Sequence, residues 1–138
     1  TGFNHPIGDW DVGNVTNMSF MFTGTRFNQP IGDWDVSSVT NMEGIFSHSQ
    51  FNQPIGNWDV SSVTDMGIMF ESSQFNQPIG DWDVSSVTNM SGMFSYAYSF
   101  NQDLTDWCVS YFNSMPPFFV AGNTTFQTTN HPIWGTCT

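Results

Sequence analysis

The chain has 138 residues (15.5 kDa), with one basic residue, Arg26, against 12 Asp plus Glu, a formal net charge of −11 and a pI near 4.1. A single cation can neither neutralise a phosphate backbone nor hold to an anionic lipid surface, which excludes nucleic acid and anionic membranes as partners. No apolar run approaches the roughly 20 residues of a membrane span, and a composition of 17% aromatic and 9% charged residues is not that of a disordered acidic tail.

The chain is built of repeats. Phe3, Phe27, Phe51 and Phe75 are spaced by 24 residues, and Phe100 follows after 25. Trp10, Trp34, Trp58, Trp82 and Trp107 keep the same step. Four units (3–26, 27–50, 51–74 and 75–99) precede a divergent fifth, FNQDLTDWCVS, which opens a C-terminal segment, 100–138. A unit this short cannot hold two packed helices. It predicts a repeat solenoid whose parallel strands stack at about 4.8 Å per coil, a rod of about 20–25 Å.

Within the unit 27–50, Ile31–Val36 is the strand candidate, with Pro30 at its entry where a missing N–H does least harm. Ser37 and Ser38 are N-cap residues. Val39, Met42 and Phe46 are spaced by 3 and 4, the spacing of one face of a short helix, so SSVTNMxxMF reads as a cap plus two helical turns. The Asn28-type residues fit a turn in which the side chain bonds backbone groups. Pro116-Pro117 interrupts the pattern, as expected of a C-terminal cap.

The unit FNQPIGDWDVSSVTNMxxMF, carried by residues 3–99, resembles the BspA-like bacterial surface-protein repeat, the repeat of Mycoplasma-type lipoproteins. Residues 100–138, with WCVS and PIWGTC, look like the C-terminal end of such arrays. The resemblance implies a leucine-rich-repeat-like solenoid on an extracellular or cell-surface protein, of a kind discussed as adhesins, with no established catalytic residues. The 24-residue unit is shorter than the family's 26, so private loops between coils are minimal.

Stacking turns each position of the unit into a row. One row is Asp9, Asp33, Asn57, Asp81 and Asp106; a second is Asp11, Asp35, Asp59 and Asp83, followed by Cys108. Two like charges about 4.8 Å apart repel by roughly 0.9 kcal/mol in water, so the rows need hydrogen bonds, a cation or full exposure. Asp35-type residues are expected to bond the amides that open the Ser-Ser-Val turn. Calcium shared between rows is the alternative, although it wants six to eight oxygens and no DxDxDG loop is present. Asn57 also interrupts the first row. No other cofactor is indicated. Thr16, Thr40, Thr64 and Thr88 form one file, where a Thr-based ice-binding face commonly uses two. The Trp row is either core or a platform for sugars or protein, and a one-residue change of register would reverse it.

His5, His48 and His131 lie in no metal or catalytic spacing, and no nucleophile elbow or P-loop occurs. A repeat duplicates its carboxylates without singling out an acid and a base, and the inner coils show no odd polar cluster, so no enzyme is expected. Cys108 and Cys137 would close about 30 residues as a disulfide, contributing roughly 3–4 kcal/mol, and would place the protein outside the cytosol; buried free thiols are the alternative. Asn14, Asn17, Asn89 and Asn123 head N-x-S/T sequons, of which Asn123, outside the repeats, is the preferred glycan carrier. No signal peptide is visible, so an exported protein would be represented by its mature part or by a fragment. The chain enters its first repeat at once, leaving an open N-terminal coil that other repeats or a second copy would cover.

The reading is a non-enzymatic extracellular or cell-surface scaffold mediating adhesion or surface assembly through a rigid acidic face. A head-to-tail filament subunit and a module binding glycans or host proteins are the alternatives.

Overall fold

The computed structural model describes residues 2–137; Thr1 and Thr138, the outer limits of the sequence, lie outside them. Successive units stack on one another, but not as parallel strands. The described residues contain one helical element, the 3-10 turn Thr128–Asn130, and three isolated parallel bridges, Asn17–Asn41, Asn41–Asp65 and Asp65–Asn89. The expectation of a leucine-rich-repeat-like solenoid, with one strand and one short helix per coil, is therefore corrected: each unit is a chain of tight turns.

The predicted strand Ile31–Val36 lies across two turns. Trp34 N–H donates to Ile31 O (3.1 Å), and Val39 N–H to Val36 O (3.0 Å). The predicted helix is a ribbon of three overlapping turns, closed by Ile45 N–H to Met42 O, Ser47 N–H to Gly44 O and Ser49 N–H to Phe46 O at 3.0–3.2 Å. An α-helix would send every N–H four residues back. Here only alternate N–H groups point inward. Those of Met42, Gly44, Phe46 and His48 cross to the carbonyls of Asp65, Gly67, Met69 and Glu71 in the next unit, at 2.7–3.1 Å. Each backbone donor of the ribbon is thus paired, half within the unit and half between units.

Alternating turns require left-handed residues at fixed places. Gly44 and His48 have φ of 59° and 55°. One such column runs Phe20, Gly44, Ile68, Gly92, Phe118. A methyl placed on Gly44 would fall on the Phe20 ring, and one on Gly92 would meet Ile68 Cγ2 at 3.0 Å. Large and small residues therefore alternate along this column, because each side chain lies over its neighbour's backbone.

The core is a pair of phenylalanine columns. Phe27, Phe51, Phe75 and Phe100 form one, with ring centroids 6.0–6.3 Å apart. Phe22, Phe46, Phe70 and Phe94 form the other, at 5.5–5.9 Å. Across the columns, Phe46 stacks on Phe51 at 4.2 Å and Phe70 on Phe75 at 4.3 Å. Such pairs contribute about 0.5–1.5 kcal/mol each beyond their burial. Trp34, Trp58, Trp82 and Trp107 are buried beside them. Each indole N–H donates to a carbonyl one unit back, of Ile7, Ile31, Ile55 and Ile79, at 2.9–3.1 Å. The Trp row is core, except Trp10 of the first unit, which is 54% exposed.

The last segment closes the stack in two passes. Pro116–Asn123 repeats the turn ribbon and accepts the N–H groups of Gly92, Phe94 and Tyr96. Residues 126–137 then return along 101–109: Leu104 N–H donates to Asn130 O, Val109 N–H donates to Thr136 O, and a disulfide joins Cys108 to Cys137.

Candidate functional site

Amide side chains fix the units laterally. Asn28 Oδ1 accepts the N–H of Asn52, whose own Oδ1 accepts that of Asn76, each at 2.9 Å. Gln53 Nε2 donates to both oxygens of Asn28. The Asn side chains do bond backbone, but in the next unit rather than in a local turn. The Thr file behaves similarly: Thr40 Oγ1 donates to Thr16 O and Thr64 Oγ1 to Thr40 O, both at 3.2 Å. These rows are internal ties.

The two Asp rows differ. In the second, Asp35 Oδ1 accepts the backbone N–H of Ser37 (3.0 Å) and its hydroxyl (2.5 Å). Asp59 does the same with Ser61, and Asp83 with Ser85. Asp11 accepts the Gly13 N–H. The Ser37 hydroxyl, then its amide, hold the Asp35 carboxyl below its ordinary pKa; Ser61 does so for Asp59, where the Asp35 charge opposes weakly. Asp103, in the place of the repeat's Pro, is lowered in the same way by Thr105. This row serves the turns.

The first row faces solvent. Asp33, Asn57, Asp81 and Asp106 line an open groove of about 640 Å³ that runs along the stack. Its floor is made by Gly32, Gly56 and Gly80. A Cβ at any of the three would come within 2.6–2.9 Å of a carbonyl oxygen in the next unit, that of Pro54, Pro78 or Asp103. Glycine there lets the backbones meet and leaves the carboxylates along the rim. Asp9, Asp33, Asp81 and Asp106 are exposed, and none accepts a hydrogen bond from a described residue. Among the described residues no group of three or more His, Cys, Asp and Glu is placed to hold a metal ion.

Of the sequon residues, Asn14 is exposed. Asn17 and Asn89 each accept the N–H two residues on, and Asn89 Nδ2 also donates to Asp65 Oδ1. Asn123 Nδ2 donates to Phe94 O and Ala97 O, while its Oδ1 accepts from Thr125 and Phe126. Asn123 is thus a structural plug whose amide nitrogen is already engaged.

The sequence reading missed one cluster. Ser47 Oγ lies 2.8 Å from His48 Nδ1 and 3.4 Å from Glu71 Oε2, so the inner units are not alike in their polar groups. Glu71 contacts the serine rather than the histidine, and the base–orienter order of a catalytic triad is not met. The signal was present in the sequence: His48 and Glu71 are the only His and Glu of their columns.

Taken together, stacked turn units tied by side-chain ladders define a tandem-repeat protein with an acidic row, Asp9, Asp33, Asp81 and Asp106, that has no hydrogen-bond partner among the described residues. The chain belongs to the family described as "Mycoplasma protein of unknown function, DUF285", whose model matches residues 1–71 and, overlapping them, 25–132. The resemblance to a Mycoplasma-type repeat holds at that level. No curated protein and no solved structure matches the chain, and no described helix is long and apolar enough to cross a membrane.

Proposed function

We propose that this is a non-enzymatic scaffold of the cell surface or extracellular space, mediating adhesion or surface assembly through its acidic groove. The observation that carries the reading is the contrast between the Asp rows: Asp35, Asp59 and Asp83 are engaged in turns, whereas Asp33, Asp81 and Asp106 have no partner among the described residues and share one rim. Ladder bonds fix the spacing of these carboxylates, so a basic partner would meet them without ordering them first. The disulfide agrees with an oxidising compartment.

The test is retention of the protein on immobilised extracellular-matrix proteins and on glycans. Binding should weaken with salt, as exposed charges do, and be lost in D33N/D81N/D106N while D35N/D59N/D83N retains it. Equal binding by wild type and the first triple variant would overturn the reading.

Head-to-tail association between copies is the second reading. It is favoured by the apolar surface of the first unit, where Phe3, Trp10 and Met21 line a cavity of about 390 Å³ and Phe20 lies exposed. Light scattering over a concentration series tests it: growth in mass supports it, and a constant monomer mass overturns it.

A further inference from the structure

The chain holds four N-x-S/T triplets, at Asn14, Asn17, Asn89 and Asn123, and the fold treats them differently. Three are already committed to the structure. Met18 and Met90, the central residues of the triplets at Asn17 and Asn89, lie in the core at 2% and 0% exposure. Asn17 Oδ1 accepts the Ser19 N–H and Asn89 Oδ1 the Ser91 N–H, while Asn89 Nδ2 donates to Asp65 Oδ1. Asn123 Nδ2 donates to Phe94 O and Ala97 O, at 3.2 and 2.9 Å.

The triplet Asn14-Val15-Thr16 has no such ties. Gly13 and Asn14 are the middle residues of a turn closed by Val15 N–H to Val12 O at 2.9 Å. Asn14 and Thr16 are both exposed, and the Asn14 amide has no partner among the described residues. The hydroxyls of Thr40, Thr64 and Thr88 donate to the threonine carbonyl of the unit before. The Thr16 hydroxyl makes no bond to a described residue. Asn14 is also peculiar to its unit: it stands where the others have Ser38, Ser62 and Ser86, so VGNVT replaces VSSVT. The turn is built equally well with serine there, as Val39 N–H to Val36 O at 3.0 Å shows. The asparagine thus adds a reactive amide that the fold does not use.

We propose that Asn14, alone of the four, is a site of N-linked glycosylation, with an oligosaccharide carried on a lipid pyrophosphate as the donor. Asn14 Nδ2 forms a bond to the anomeric carbon of the first sugar. The bond from that carbon to the phosphate oxygen breaks, the lipid pyrophosphate leaves, and Nδ2 gives up one proton. At Asn14 the bulky, hydrated product extends from an exposed turn. At Asn123 it would take the place of a hydrogen on an amide that bonds two carbonyls, and a buried amide stripped of such a bond is costly. The inference rests on the reading that the chain is exported.

The test is secretion of the full chain, behind a cleavable leader, from a eukaryotic host. The disulfide-closed product is deglycosylated enzymatically, and peptide mass spectrometry reads each formerly modified asparagine as aspartate. Asn14 should carry the glycan. Occupancy should be lost in Asn14→Ser, which restores the residue of the other units, and in Thr16→Ala, which removes the free hydroxyl. It should be unchanged in Ser19→Ala and Thr125→Ala, which break the triplets at Asn17 and Asn123 without removing their side-chain bonds. A disulfide-closed product bare at Asn14 overturns the proposal and leaves the export reading standing. Glycan on Asn17, Asn89 or Asn123 in that product overturns it equally. Failure to obtain any disulfide-closed product from the secretory route would sink the export reading and the glycan with it.

Discussion

The indole N–H of Trp58 donates to the carbonyl of Ile31, 27 residues earlier, at 3.0 Å, and both residues are buried. The tryptophan row is therefore a row of ties as well as a row of bulk. Trp58→Phe keeps most of the ring volume but removes one of the two hydrogen bonds to the Ile31 carbonyl, which still accepts the Trp34 N–H, at a cost of about 0.5–1.5 kcal/mol. Trp58→Ala adds a cavity and should cost about 3–5 kcal/mol. Urea unfolding monitored by circular dichroism measures both.

The groove glycines meet backbone, which cannot turn aside. Gly56→Ala would put a Cβ 2.9 Å from Pro78 O, and separating two packed units should cost about 1–3 kcal/mol. At Gly24 a Cβ meets nothing within 4 Å, although φ is +66°, so Gly24→Ala should cost only the left-handed penalty of about 1–2 kcal/mol. Calorimetry should show the larger drop in Tm for Gly56→Ala.

Acid should act through the Asp–Ser turns. The carboxyl groups of Asp35 and Asp59 are held below their ordinary pKa by serine hydrogen bonds. A lowered folded pKa gives stability that is present above the unfolded value and is lost as pH falls through the folded one. The double variant S37A/S61A should melt below wild type at neutral pH. The gap should close as pH falls below the ordinary carboxylate range. A gap in Tm that stays constant down to acid pH would contradict this.

The disulfide closes a loop of 29 residues, worth roughly 3–4 kcal/mol on the chain-entropy account. Reduction, or C108S/C137S, should lower stability by that order. It should also open the last pass first, speeding hydrogen exchange at Leu104 and Val109, whose N–H groups bond that pass. Exchange at Met42 and Phe46 should change little.

The buried face of Val39, Met42 and Phe46 and the Asp–Ser turns were legible in the sequence, whereas the side to which the Trp row turns was not. Nor was the secondary structure. Val39, Met42 and Phe46 are buried as their spacing of 3 and 4 predicts, but a ribbon of overlapping turns puts the same residues inward as a helix does. Only the destination of the N–H groups separates the two, and periodicity says nothing about it. Ile31–Val36 carried strand-like residues, yet Gly32 and Asp33 sit inside a turn closed between Ile31 and Trp34. The different fates of Asp33 and Asp35, two residues apart, depend on the serine that follows Asp35 and on the glycine floor beneath Asp33.

The alternation of Phe20, Gly44, Ile68, Gly92 and Phe118 has a consequence for how such an array changes in length. Loss of residues 27–50 alone would bring Phe20 over Ile68, two side chains contending for the space that Gly44 leaves open. Loss of residues 27–74 would bring Phe20 over Gly92, which accepts it as Gly44 does. In this column the heritable module is a pair of units, so gain or loss of coils in twos meets no steric penalty, whereas a change by one demands a compensating mutation.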